Sequence, residues 1–345
     1  MLKTVEVPLL GHPDAVCDQI VEGLLDEYLR RDKNSRVNIK ACGSNGMLMV
    51  GGTVDSRADF DATGLVKKIY KEIGYTDDIE PFVNIERPSS DLAKTIVSGG
   101  AQGTVTVYGY ATKETREFMP KAYVYANAIA RRIDDLRKHN EAFAFLKPDG
   151  KVQVTMDGAK VVAVTVSIQH DDSVDRNTVQ ANILDNAIMP VIGDAQGVKI
   201  FINSAGEFSQ GGFYAGAGAS GRKVLANTYG GLLPHSGAIL SGRDPLQPSK
   251  AGTLMARYAA KQLVAEGVAG NILITVGYAI GHNDPVFLQA VTGKGEDISE
   301  MVKERFDFKP EAIVEKLDLR QPFYQRMSEH GYFGKEGAPW EEAKK

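Results

Sequence analysis

His12 and Asp14 flank a proline in the tetrapeptide Gly11-His12-Pro13-Asp14. Proline suits the first helical position, so the pair stands beside the free N–H groups and positive dipole end of the helix that follows. A histidine there can donate to an anion, and Asp14 can ligate a hard cation such as Mg²⁺. Taken alone, the tetrapeptide reads more simply as a helix cap with a carboxylate that complements the dipole. The densest glycine run, Gly211 to Lys223, ends in Gly221-Arg222-Lys223. Gly216-x4-Gly221 approaches a P-loop, but arginine fills the lysine slot, no Ser or Thr follows Lys223, and no strand leads directly in, which excludes a Walker A loop. Two readings remain: a backbone cradle for polyphosphate fed by Arg222 and Lys223, or a surface loop ending in two solvated charges.

Three further turns carry similar chemistry. Lys147-Pro148-Asp149-Gly150-Lys151 enters a strand, Ser241-Gly242-Arg243-Asp244-Pro245 holds another arginine beside glycine, and Gly99-Gly100-Ala101-Gln102-Gly103 is a third glycine knot. Each by itself is an ordinary turn. The remaining histidines lack ligand spacing, and neither HExxH nor Gly-x-Ser-x-Gly occurs, so zinc-peptidase and serine-hydrolase chemistry drop out.

The elements that must position these groups follow from periodicity. Val16, Ile20, Leu24 and Tyr28 predict a helix from Pro13 to about Arg31. Asp18, Glu22 and Asp26 form an acidic line on another face, with Arg30 four residues after Asp26. Val37–Ala41 and Met47–Val54 read as strands of a hairpin joined through Asn45-Gly46. A helix over Asp59–Ile73 follows, and Ile85–Gly103 reads as a loop. A second unit holds a strand at Thr104–Tyr110, a helix at Pro120–His139, strands at Lys151–Met156 and Lys160–Gln169, a helix at Asn177–Ile192 and a strand at Lys199–Asn203. A third opens with Gly211–Lys223, then a helix near Ala251–Glu266, a strand at Asn271–Tyr278, short helices at Ser299–Phe306 and Pro310–Leu317, and a loop-like tail. Hairpins mixed with helices three times over predict three α+β modules, each with helices on one sheet face.

Composition narrows the class. The 345 residues suffice for two or three domains. A hydrophobic share of 43% with 24% charged residues is globular, which excludes wholesale disorder. The net charge of −4 argues against a dedicated nucleic-acid binder. Cys17 and Cys42 make neither a disulfide framework nor a CxxC pair, as expected of a reduced, cytoplasmic protein. No apolar run reaches the ~18–20 residues of a membrane span, and the N-terminus lacks a secretory apolar core. The 36 glycines are clustered, marking places where backbone turns sharply or approaches a ligand.

Taken in order, the motifs resemble the methionine adenosyltransferase (S-adenosylmethionine synthetase) family. They run from Gly11–Asp14 through Gly46-Met47 to Val50-Gly51-Gly52, Tyr108-Gly109-Tyr110-Ala111-Thr112 with Glu114-Thr115 and Met119-Pro120, and Lys147–Lys151. They continue with Gln169-His170, Phe201-Ile202-Asn203, Gly221-Arg222-Lys223 with Thr228-Tyr229-Gly230-Gly231, Ser241–Pro245 and Ala256-Arg257-Tyr258. The last are Tyr278-Ala279-Ile280-Gly281 and Tyr332-Phe333-Gly334 before Pro339-Trp340. The resemblance covers nearly the whole chain. It implies three similar α+β domains in a pseudo-threefold arrangement, here 1–97, 98–210 and 211–345, and a homodimer or homotetramer with active sites between subunits.

The implied reaction transfers the 5′-adenosyl group of ATP to methionine sulfur, giving S-adenosylmethionine, pyrophosphate and phosphate. By position, His12, Lys151, Arg222, Lys223 and Arg243 would face the triphosphate and Asp14 a Mg²⁺ ion. Asp149, Phe208 and Gly221 would hold the nucleotide, with Asp149 on the nucleoside side and Phe208 stacked on adenine. Arg243 stands where the family usually has lysine. The departures concentrate elsewhere. Thr53, Gly216 and Gln247 occupy positions of the glutamate, aspartate and lysine of the methionine site, and Ala101 replaces an aspartate. Ser249 replaces a second Mg²⁺-binding aspartate, leaving the ion to Asp14, ATP oxygens and water. Lys40 replaces a glutamate associated with a K⁺ site, so K⁺ is expected to be dispensable. The loop 85–103, shorter than the family's gating loop, lacks its motif. The rebuilt methionine end also leaves open a relative that adenosylates another nucleophile or only cleaves ATP or tripolyphosphate. Five converging cations argue against a non-catalytic member.

Overall fold

The computed structural model describes residues 2–89 and 100–342. Its first third runs β1 (Leu2–Pro8), α1 (Pro13–Arg31), β2 (Arg36–Ser44), β3 (Met47–Asp55), α2 (Ala62–Ile73) and β4 (Glu80–Glu86). His12 caps α1, Pro13 begins it, Asp14 lies in its first turn and Arg30 and Arg31 in its last, each matched to the helix dipole. Asn45 and Gly46, at φ of 48° and 74°, turn β2 into β3 as an Asn-Gly hairpin requires. β4, within a stretch partly expected to be loop, pairs parallel with β3 from Met47↔Glu80 to Thr53↔Glu86. Its Pro81 and acidic ends fit an edge strand and hide the strand signal. Of the expected loop, residues 90–99 lie outside the described residues. Gly100–Gln102 is fixed where Ala101 N–H donates to the His282 carbonyl and Gly281 N–H to the Ala101 carbonyl.

The middle third contains β5 (Val105–Thr112), α3 (Lys121–His139), β6 (Leu146–Asp157), β7 (Lys160–His170), α4 (Arg176–Ile183) and β8 (Lys199–Ile202). The helix expected over Asn177–Ile192 is interrupted: a π-turn at Leu184–Ile188 follows α4 before a last helical turn, Met189–Ile192. Pro190 lacks the N–H that would meet the Asn186 carbonyl, and Arg132 Nε donates to that carbonyl instead.

The last third contains β9 (Gly218–Ala219), α5 (Val224–Thr228), α6 (Pro248–Ala265), β10 (Asn271–Tyr278), β11 (Phe287–Thr292), α7 (Ser299–Arg305), α8 (Pro310–Lys316) and α9 (Tyr324–Ser328). β11 and α9 escape sequence inspection. The first is a six-residue strand identified only by its antiparallel pairing with β10, and the second is five residues long.

Three sheets result, ordered β1-β6-β7-β8, β11-β10-β5 and β4-β3-β2-β9. Each draws a strand from another third of the chain. β1 pairs with β6, β5 with β10, and β9 with β2, so the sheets close a three-way exchange. One long helix covers each: α1 lies on β2 and β9, α3 on β1 and β6, and α6 on β5 and β10. The architecture is three α+β units. One apolar core joins the β6- and β10-centred sheets with α3 and α6. The other fills the space between α1, α2 and the β2 sheet, closed by Phe213 and Tyr324.

α6 is buried all round and carries three cations inward. Lys250 pairs with Glu22 at 2.8 Å, both fully buried, while Arg257 and Lys261 grip Glu341 at 2.7 and 2.8 Å. Arg257 also donates to the carbonyls of Tyr110, Glu117 and Phe118. The Ala256–Tyr258 and Pro339-Trp340 motifs thus fasten the chain's end to its middle third. Among the described residues no helix is long and apolar enough to cross a membrane.

Candidate active site

A cavity of about 380 Å³ opens at the N-terminus of α1, with His12, Asp149, Lys151, Ser167, Phe208 and Gly216 in its wall. The His12 side chain caps the helix, its Nδ1 accepting the Asp14 N–H at 3.2 Å. Burial, reinforced by Lys223, lowers its pKa to about 4. The ring is therefore neutral near pH 7, and with Nδ1 accepting, Nε2–H remains as a donor.

Asp14 is almost completely buried. Its Oδ1 accepts the Ala219 N–H at 2.9 Å and its Oδ2 meets Lys223 Nζ at 2.6 Å. Gly218 lets this strand close on the helix, since a Cβ there would strike the Pro13 carbonyl. The end of the glycine run that leads to Arg222 and Lys223 is pinned. Beyond β9, Ser220 exchanges bonds with Ala41: its N–H donates to the Ala41 carbonyl and its Oγ accepts the Ala41 N–H.

Asp149 lies at the start of β6's regular pairing, where burial raises its carboxyl to about 6 although Gly212 N–H donates to its Oδ2 at 2.8 Å. Gln169 and His170 hold the neighbouring parts. The Gln169 amide spans from Asp149 N–H to the Ser209 carbonyl. The His170 backbone N–H donates to the Phe208 carbonyl at 2.9 Å, and Phe208 N–H returns to His170 Nε2 at 3.4 Å. In the sequence, Gln169-His170 stands out only as part of the resemblance; the work of the pair is to set Asp149 and Phe208. Lys151, on the open face of β6, pairs with Glu6 at 3.3 Å.

The other expected cations lie outside this cavity. Arg222 is exposed and makes no ion pair among the described residues. Arg243 donates to Asn38 Oδ1 on β2. The loops bearing Lys223 and Arg243 dock on the same edge of β2, Ala219 opposite Cys42 and Arg243 opposite Asn38. Those positions are four residues apart along the strand, about 13 Å. Thr53 is the cross-strand neighbour of Asn38. Gln247 donates to Gln102 Oε1 at 2.9 Å, beside buried Ala101. Ser249 is buried in the first turn of α6, and Lys40 is exposed opposite Gly51. Gly221 is buried at φ 78°, its N–H donating to Asp18 at 2.6 Å. The acidic line Asp18–Glu22–Asp26 is also buried, and Arg30 pairs with Glu27 rather than Asp26.

Among the described residues no three His, Cys, Asp or Glu side chains converge as a metal set. Asp14 beside the cavity and Asp149 in its wall offer hard oxygens but no all-protein cage, which fits a Mg²⁺ ion at Asp14 brought in by phosphate and otherwise hydrated. A larger depression of about 660 Å³, between Asp284–Leu288 and Lys303–Lys309, holds none of the expected site residues.

A neutral imidazole donor, a half-buried lysine and a buried carboxylate around a helix N-terminus can together bind a phosphorylated nucleotide. Family models for S-adenosylmethionine synthetase match the chain end to end: its N-terminal domain over residues 1–98, its central domain over 98–208 and its C-terminal domain over 210–342. The chain is 36% identical to the S-adenosylmethionine synthase of Petrotoga mobilis, across 99% of this chain and 96% of that protein. It is 37% identical to that of Sorangium cellulosum, across 96% and 85%, and 36% identical to that of Aquifex aeolicus, across 100% and 97%. The chain belongs to the S-adenosylmethionine synthetase family, whose enzymes are methionine adenosyltransferases.

Proposed function

We propose that this chain joins ATP and methionine into S-adenosylmethionine at the α1 cavity. Methionine sulfur attacks C5′ of ATP; the S–C5′ bond forms from a sulfur lone pair while the C5′–O bond breaks and its electrons leave on the triphosphate. A neutral thioether needs no general base, so the protein's tasks are in-line orientation and stabilisation of the departing charge. His12 Nε2–H, Lys151 and Lys223 serve that charge, with Asp149 on the nucleoside and Phe208 against adenine. Mg²⁺ beside Asp14 supplies further charge neutralisation when nucleotide is bound. Attack of water on a terminal phosphorus of the tripolyphosphate then breaks one P–O–P bond and gives pyrophosphate and phosphate at the same groups.

The observation that carries this reading is the convergence of His12, Asp149, Lys151 and Phe208, from α1, β6 and the segment after β8, on one cavity. Arg243 and Thr53 gather at the far end of β2 rather than in this wall, which supports a site completed by a second copy of the chain in a homodimer or homotetramer. The outward face of the β2 sheet supports that assembly, because Met47, Met49 and Phe82 are 67%, 54% and 63% exposed there. Mass spectrometry of the products from ATP and Mg²⁺, with and without methionine, tests the activity. S-adenosylmethionine formed only with methionine is expected; ATP or tripolyphosphate cleavage without any methionine-dependent product overturns it.

A further inference from the structure

α1 carries carboxylates at Asp14, Asp18, Glu22 and Asp26, four residues apart, and all four are buried. On an isolated helix such like charges repel. Here each meets donors from the last third of the chain. Asp14 takes Ala219 N–H and Lys223, Glu22 takes Lys250 and the Tyr332 hydroxyl, and Asp26 takes the N–H groups of Tyr324 and Gln325. The second rung differs in what it holds. Asp18 Oδ1 accepts Gly221 N–H at 2.6 Å, and its Oδ2 accepts Asn227 Nδ2 at 2.9 Å. One carboxylate therefore clasps both ends of the segment that contains Arg222 and Lys223.

That segment has little other freedom. Gly221 sits at φ 78°, where a Cβ would run into Ile239. Asn227 N–H donates to the Lys223 carbonyl at 2.8 Å, closing α5 directly after the lysine. We infer that Asp18 is a positioning residue for adenosyl transfer, its carboxylate fixing Gly221 and Asn227 so that the Lys223 ammonium stands at Asp14 beside the cavity. Burial raises the Asp18 carboxyl to about 6, against the pull of the Gly221 N–H. Both of its oxygens face donors, so the NH₂ group of the amide in Asp18→Asn would oppose one of them.

The inference rests on the reading of Lys223 as a triphosphate group, and the experiment separates the two. Steady-state kinetics and thermal unfolding are compared for wild type, K223A, D18N, N227A and the double variant D18N/N227D. In the double variant the amide of residue 18 accepts from Gly221 and donates to the new carboxylate, restoring both links. Expected are a kcat loss of about tenfold or more in D18N with methionine KM within twofold of wild type, a smaller loss in N227A, and recovery of most of the kcat in D18N/N227D. Should D18N not fold, N227A decides: a several-fold lower kcat at unchanged methionine KM supports the role, and wild-type turnover overturns it. Wild-type turnover in D18N, or a folded double variant without recovery, also overturns it. Wild-type turnover in K223A instead removes the underlying reading of the site.

Discussion

At the helix end of the cavity, polar groups are matched and packed. His12 caps α1, Asp14 spends one oxygen on Ala219 and the other on Lys223, and Asp18 ties down the loop behind them. Elsewhere in the cavity wall Gly216 leaves open space, with no atom beyond its chain neighbours within 4 Å of where a Cβ would stand. Gln247, where the resemblance implies a lysine, spends its amide on Gln102. The two ends differ in charge as well as packing. On the proposed reading, triphosphate brings its own charge to groups that are preorganised for it, whereas Gly216 and Gln247, where the resemblance implies methionine-site residues, are neutral. Preorganisation raises turnover when it is aimed at charge that develops in the transition state, and a looser end costs binding rather than chemistry.

That contrast breaks most sharply at Lys223. Its replacement by alanine should lower kcat about 10²-fold, the size expected for one preorganised donor at a developing negative charge. Lys151→Ala and Arg222→Ala test the same end from its exposed side, and Lys223 should show the largest loss because it is the most enclosed of the three. Initial-rate measurements within a few-fold of wild type for all three would remove the proposed cationic end.

His12 joins two roles that one substitution can part. Asparagine keeps the helix cap, since its side-chain oxygen also accepts an N–H of the first turn, but it lacks the reach of Nε2–H. His12→Asn should fold normally and lose about tenfold in kcat. The pH dependence has a definite sign. The folded pKa of about 4 lies below the ordinary 6.5, so the unfolded chain binds the proton first. The stability His12 contributes is present above pH 6.5 and is lost as pH falls toward 4. Relative to wild type, the asparagine variant should therefore lose less stability over that interval, read by urea unfolding at a series of pH values. An equal loss in both proteins would place the imidazole in solvent.

The matched and open ends are not equally legible in the residues. Pro13–Arg31 and Asn271–Tyr278 can be bounded because a complete apolar period and clear end signals coincide there. β4 cannot, because an edge strand with proline and acidic residues acquires its conformation from β3. The exchange of β1, β5 and β9 is illegible for a similar reason: strand partners a third of the chain away leave no local signal. Within the site, His12, Lys151 and Asp149 stand out by type and by neighbouring glycine or proline. Asp18 does not, since an acidic line along a helix reads as a solvated face. Only the donors that converge on it, all from distant segments, show otherwise.

The open end can be sharpened by adding charge. Gly216 has ordinary φ and room for a side chain, so Gly216→Asp should be accommodated without loss of stability. The resemblance implies an aspartate at this position as part of the methionine site. The variant should lower methionine KM several-fold with kcat and ATP KM little changed, measured by varying each substrate in turn. A higher methionine KM would show that the neutral wall is matched to its substrate as it stands.

The smallest effect expected is that of potassium. In the family resembled, a monovalent cation balances a carboxylate whose position Lys40 occupies here. Exchanging a carboxylate for an ammonium alters the local charge by two units. A second cation about 4 Å from Lys40 would be repelled by ~1–4 kcal/mol across surface-like dielectrics. Lys40 lies on the outward face of β2, exposed opposite Gly51, so its ammonium is solvated rather than folded into a cation cage. Whether it clears the region or, in the proposed dimer, stands in for the ion, turnover should need no added K⁺. Activity in buffer free of potassium and sodium should match that in KCl at roughly physiological ionic strength, apart from the general salt effect reproduced by tetramethylammonium. A several-fold saturable rise with K⁺ that tetramethylammonium does not reproduce would mean that a cation is still bound despite Lys40, and that the departures from the family extend less far than the charge pattern says.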